Sequence, residues 1–154
     1  MRLYSSAFEH NSEIPTQYTC EGADTSPPLE WSGVPAGTES LALVVDDPDA
    51  PDPAAPGVSW VHWVLFNLPK LTTGLPEGVL ELPKPGRQGL NDWKRAAYGG
   101  PCPPTGRHRY AHKLYALDTQ LALDRPTKEE LEEAMQGHIL AQASLVGTYE
   151  KKLR

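Results

Sequence analysis

The sequence predicts an all-β domain, a sandwich or a barrel, carrying a minor helix. Apolar runs of strand length dominate the chain, glycine and proline clusters separate them, and one segment has a helix start signal. Residues 40–46 (SLALVVD) are β-branched and leucine-rich and stop at an Asp-Pro turn. Residues 60–68 (WVHWVLFNL) are apolar on both faces of a pleat, the pattern of a central strand covered on both sides. Residues 109–117 and 145–151 read as two more strands, and residues 3–8 as another. Turns fall at residues 32–37, 46–57 and 99–106. Thr127 is a good N-cap, and Glu130 three residues on completes a capping box. Leu131, Ala134, Met135 and His138 share one face of that helix, which would pack on the sheet and leave the glutamates solvated. One or two short peripheral helices are expected.

The chain has 154 residues, read as a single domain over residues 1–154 and long enough to bury a sizeable core. Its net charge of −6 argues against nucleic acid and anionic membranes as partners. Thirteen glycines and 16 prolines exceed ordinary usage without reaching low-complexity composition, so they read as turns. No apolar run approaches the length of a membrane span, so no integral membrane association is expected. The N-terminal residues show no signal-peptide pattern, and a cytoplasmic location is expected. Cys20 and Cys102 have no metal-site spacing, and in a reducing cytosol they are expected as free thiols.

Three stretches set polar groups beside apolar strands. In Asp46-Asp47-Pro48-Asp49 the proline holds Asp47 and Asp49 in turn or extended backbone. One of these carboxylates is placed to orient a histidine; the plainer reading is a solvated turn. His62 shares a pleat face with Trp60, Val64 and Phe66, and reads as a core histidine bonded to a carbonyl or as a site residue. His108 and Tyr110 point the same way, at the end of a Gly/Pro loop whose backbone N–H groups can approach a ligand. His112 continues that face and is assigned to the core.

DPDAP, WVHWVLFNLP and YGGPCPPTGRHRY resemble the signature blocks of the phosphatidylethanolamine-binding proteins, and in particular their bacterial Raf-kinase-inhibitor-like branch. The stretch from Tyr18 to Pro51 and the closing GHILAQASLVGTYEKK match that branch too, so the resemblance spans nearly the whole chain. It implies an antiparallel β-sandwich of two sheets with a small anion pocket at one end. By position, the pocket carboxylates would be Asp47 and Asp49, its first histidine His62, its loop Gly100 and Pro101, and its HRY block His108 and Tyr110. The resemblance also implies phosphate-like, acetate-like or phospho-head-group ligands, a protein kinase or protease as partner, and a homodimer.

The expected function is a non-enzymatic binding module that uses no cofactor and no metal. A metal-dependent enzyme is the alternative, taking two histidines and an aspartate as ligands, although no metal-binding spacing supports it. Acid–base or nucleophilic catalysis by an Asp–His pair is another, with Cys102 as the one credible nucleophile.

Overall fold

Among residues 1–152, which this computed structural model describes, the chain forms nine strands, one 3-10 turn (Thr16–Tyr18) and one α-helix. The strands are β1 (Arg2–Tyr4), β2 (Ser12–Glu13), β3 (Leu29–Ser32), β4 (Ser40–Ala50), β5 (Val58–Pro69), β6 (Gly74–Leu75), β7 (Arg87–Gln88), β8 (Arg107–Leu117) and β9 (Ile139–Glu150). Helix α1 is Lys128–Met135. The larger sheet has the order β2-β9-β8-β4-β5-β7, and β1-β3-β6 make a smaller one. Neighbours are antiparallel except for the two-residue β2, which runs parallel to β9. The predicted sandwich is therefore the observed fold.

Both faces of the large sheet are covered. Between the sheets, Leu41, Leu43, Val45, Trp63, Leu65 and Leu114 pack against Leu3, Leu29, Trp31 and Leu75. On the other face, Ala42, Val44, Val64, Phe66 and Leu117 pack against Leu131 and Met135 of α1. This explains why β4 and β5 read as continuous apolar runs. It also corrects one expectation. β5 is covered on both sides but is not central, because only the two-residue β7 pairs along its outer edge. An apolar run reports cover, not position in the sheet.

The helix begins as the sequence predicts. Thr127 Oγ1 accepts from the Glu130 N–H at 3.2 Å, and Glu130 Oε1 accepts from the Thr127 N–H at 2.9 Å. Such a cap contributes about 1 kcal/mol. The helix ends at Met135, because Gly137 takes φ +80° and turns the chain into β9. His138 therefore lies beyond the helix, not on its packing face, and its Nδ1 meets Asp118 Oδ1 at 2.7 Å.

Cys20 and Cys102 are joined in a disulfide, which overturns the expectation of free thiols. Their Cα atoms are 5.4 Å apart although they stand 82 positions apart in sequence. Sequence spacing carries no information about that approach, which the fold creates by laying the loop before β8 on the segment after the 3-10 turn. The backbone reinforces it: the Cys20 N–H donates to the Pro101 carbonyl at 3.1 Å, and Tyr98 Oη donates to the Tyr18 carbonyl at 2.8 Å.

Candidate functional site

At one end of the large sheet, β4, β5, β8 and the loop before β8 enclose a cavity of about 310 Å³. Its wall includes Asp47, His62, His108 and Tyr110, four of the seven site residues expected from sequence. Trp60, Trp93, Pro51, Pro103 and Pro104 supply most of the remaining surface. That composition, a mostly apolar hollow with a few converging polar groups, is the usual character of a small-molecule site.

The Asp46–Asp49 run sends its three carboxylates in three different directions. Asp46 faces away from the cavity and is held by Lys113 at 2.9 Å and Lys128 at 2.7 Å, which ties α1 to the sheet. Asp47 faces the cavity, and its Oδ2 lies 2.6 Å from His108 Nδ1. Asp47 Oδ1 accepts from the Asp49 N–H at 2.7 Å. Asp49 is taken up by Arg109, with Nε at 3.0 Å, Nη2 at 2.8 Å and the backbone N–H at 2.8 Å. The Arg109 hydrogen bonds hold the Asp49 carboxyl below its ordinary range. Asp49 is thus a brace for the turn and is not on the cavity wall.

His108 is fully buried with both ring nitrogens engaged. Nε2 donates to the Thr105 carbonyl at 2.8 Å, since a carbonyl can only accept. One proton then lies between Nδ1 and Asp47 Oδ2, and the pair carries no net charge whichever atom holds it. Burial pushes the Asp47 carboxyl upward, against the pull of the His108 bond. Tyr110, on the same face as His108, has its hydroxyl pushed up by burial and by the Asp47 carboxylate it faces.

His62 reaches the cavity through a bulge. Val45 pairs with Trp63 and Asp46 with Val61, which leaves His62 as the extra residue on β5. Before the bulge, Trp60 and His62 face the cavity; after it, Val64 and Phe66 face α1. The expectation that all four share one face is therefore half wrong: strict alternation fails at the inserted residue. His62 Nδ1 donates to the Gly99 carbonyl at 2.7 Å, and its ring meets Tyr110 and Trp93 edge-on. Burial lowers it to about 4, so the ring is neutral at pH 7 and Nε2 keeps a lone pair.

Gly100 and Pro101 are not on the wall of this cavity. The Gly100 N–H is spent on Asp24 Oδ1 at 2.9 Å and is not offered to a ligand. Gly99 and Gly100 are needed because protein groups, not a ligand, approach them closely. A Cβ on Gly99 would lie 2.7 Å from Trp93 Cε3, and one on Gly100 would collide with Asp24 and the Tyr18 carbonyl. Cys102 lies on the wall as half of the disulfide, so the nucleophile reading loses its thiol. His112 is buried, with Nδ1 on the Tyr110 and Leu145 carbonyls at 3.1 and 3.2 Å, in keeping with a core histidine. Sequence reading missed Trp60 and Trp93 as wall residues. Trp60 had a signal, two positions before His62 on one pleat, whereas Trp93 had none. Among the described residues, no group of three His, Cys, Asp or Glu side chains is placed to hold a metal ion.

The fold is a two-sheet sandwich with an Asp–His–Tyr hollow at one end. The chain belongs to the phosphatidylethanolamine-binding protein family, whose model matches residues 4–150. It falls in the bacterial and archaeal UPF0098 branch. It is 49% identical over 155 residues to a UPF0098 protein of Methanothermobacter thermautotrophicus, covering 98% of this chain and 99% of that one. Among solved structures, the family homologue CT736 of Chlamydia trachomatis superposes with a TM-score of 0.91 at 44% identity, covering 98% of this chain and 97% of that one. Escherichia coli YbcL gives 0.88 at 34% identity, covering 98% of both chains.

Proposed function

We propose that this chain is a non-enzymatic binding module whose pocket takes a small phosphate-like or carboxylic ligand that brings a proton with it. The observation that carries this reading is the charge balance of the wall. No lysine or arginine lines the cavity, and the Asp47–His108 pair is neutral as a unit. The remaining polar groups are the Tyr110 hydroxyl, a donor now directed at Asp47 that would turn to a ligand, and neutral His62, whose Nε2 is an acceptor. A phosphate monoester monoanion matches both, with one oxygen accepting from Tyr110 and its P–OH donating to His62. A fully ionised group would lose its hydration without gaining a cation. The module would deliver this recognition to a protein partner of the kinase or protease class.

The test is thermal unfolding with phosphate, phosphoethanolamine or acetate titrated in, and with zinc and iron as comparators. A ligand of the folded state adds about 2.7 kcal/mol at a hundredfold excess over its Kd. Stabilisation by the anions, lost in Tyr110→Phe, supports the reading. Stabilisation by metal alone would overturn it. Tyr110→Phe is preferred to His108→Ala because the latter leaves Asp47 buried without its partner.

A further inference from the structure

We propose that a second cavity, beside the first, holds the α-amino-acid end of the ligand whose acidic head occupies the first: Arg95 takes its carboxylate and Asp24 its ammonium. This rests on the reading of the first pocket given above. The second cavity has a volume of about 290 Å³ and shares Trp93 and Cys102 with the first as a common wall. Arg95 and Asp24 are the charged groups lining it. The Arg95 guanidinium makes no hydrogen bond or ion pair with any described residue. Asp24 uses one carboxylate oxygen on the Gly100 N–H and has the other left to accept. Two opposite charges that line one hollow without meeting suit a ligand that carries both.

Both walls are built. Asn91 is buried, and its Oδ1 accepts from the N–H groups of Trp93 at 2.9 Å and Arg95 at 3.1 Å. Its Nδ2 donates to the Ala97 carbonyl at 2.8 Å, and its backbone N–H to the Arg95 carbonyl at 2.9 Å. One amide side chain thus fixes the backbone of the shared wall residue and of the cation-bearing residue together. On the other side, the Cys20–Cys102 disulfide and the Gly100–Asp24 bond fix the carboxylate. The first pocket has no cation of its own, and Arg109 is committed to Asp49. Arg95 is the one guanidinium lining either cavity. The ligand class is a small amino acid with a phosphate-like head on its side chain. A phosphorylated residue within a polypeptide has neither free end and would gain nothing.

The experiment is calorimetric titration of the oxidised protein with the series from 2-amino-3-phosphonopropionic acid to 2-amino-7-phosphonoheptanoic acid. Each is paired with the ω-aminoalkylphosphonate that lacks the carboxylate. At the chain length that spans the Trp93 wall, the carboxylate is expected to raise affinity about tenfold. Arg95→Gln, a change at an exposed side chain without partners, should erase that gain and leave the aminoalkylphosphonates unaffected. If these bind and the carboxylate adds nothing at any length, the second site is wrong and the first stands. If Arg95→Gln weakens both series equally, the assignment of Arg95 to a separate site is overturned. If no phosphonate binds, both readings fail.

Discussion

Asp47 Oδ2 and His108 Nδ1 share a single proton across 2.6 Å, and this pair sets the charge of the pocket. Because His108 Nε2 is tied to the Thr105 carbonyl, the pair has no N–H to spare for a ligand. Its role is to close one end of the cavity without leaving a net charge there.

The first prediction concerns that pair. Asp47→Ala leaves His108 buried without its partner and the Asp49 N–H without its acceptor, and should cost about 3 kcal/mol. Asp47→Asn can keep both bonds, its amide donating to Nδ1 and its oxygen accepting from Asp49, and should cost under about 1 kcal/mol. Urea unfolding midpoints separate the two. Equal losses in both variants would show that the charge, not the bonding pattern, stabilises the site.

A second prediction follows from two buried neutral rings. Burial holds His62 and His112 at about 4, against 6.5 for a free imidazole. Between these values the unfolded chain binds more protons than the folded one, so stability falls as pH drops below 6.5. Above pH 7 both states are neutral at these positions and the effect vanishes. The loss should be about 2 kcal/mol per histidine at pH 5. His112→Gln should halve the slope between pH 7 and pH 5; an unchanged slope would mean His112 is not held neutral.

Ligand binding should carry its own pH signature. The groups facing His62 are Tyr110 and Trp93, with none of them cationic. Phosphate affinity is therefore expected to rise about tenfold per unit as pH falls through the second phosphate ionisation toward pH 6. Calorimetry in two buffers of different ionisation heat would read about one proton taken up per ligand bound near pH 8. Proton release would contradict the assignment of His62 Nε2 as the acceptor.

Cys20→Ser with Cys102→Ser should lower stability by about 4 kcal/mol, because an 82-residue loop is closed in the unfolded state only when the bridge is present. The double variant should still fold, since Tyr98, Gly100 and Pro101 keep their bonds to residues 18–24. A fall of under about 1 kcal/mol would mean the unfolded chain is already held compact there.

Gly99→Ala should open the pocket more than it unfolds the protein. The added methyl drives against the Trp93 ring, which is 42% exposed and packs edge-on against Trp60 and His62, and should push it outward. An indole fluorescence shift with a loss of ligand affinity of about tenfold is expected, with little change in Tm. A large fall in Tm with unchanged fluorescence would place the strain in the backbone instead.

The strands and the helix start were legible because each rests on local periodicity or a local hydrogen bond: β4, β5, β8 and the Thr127–Glu130 box are examples. His108 and Tyr110 were legible as neighbours because β8 keeps strict alternation. What escaped depends on contacts between distant segments. The extra residue at His62 exists only relative to β4, so no reading of β5 alone reveals it. The use of Asp49 by Arg109, the pairing of Cys20 with Cys102 and the spending of the Gly100 N–H on Asp24 are likewise products of the assembled fold.

The disulfide has a mechanical consequence. It closes a covalent ring that contains β3 through β7, and therefore both long strands β4 and β5, while β8 and β9 lie outside it. Tension applied at the two ends passes from Cys20 to Cys102 through sulfur, and the enclosed chain never feels it. Stretched to full extension, the oxidised protein should be shorter than the reduced one by roughly 290 Å, the contour of the shielded chain of 82 residue steps.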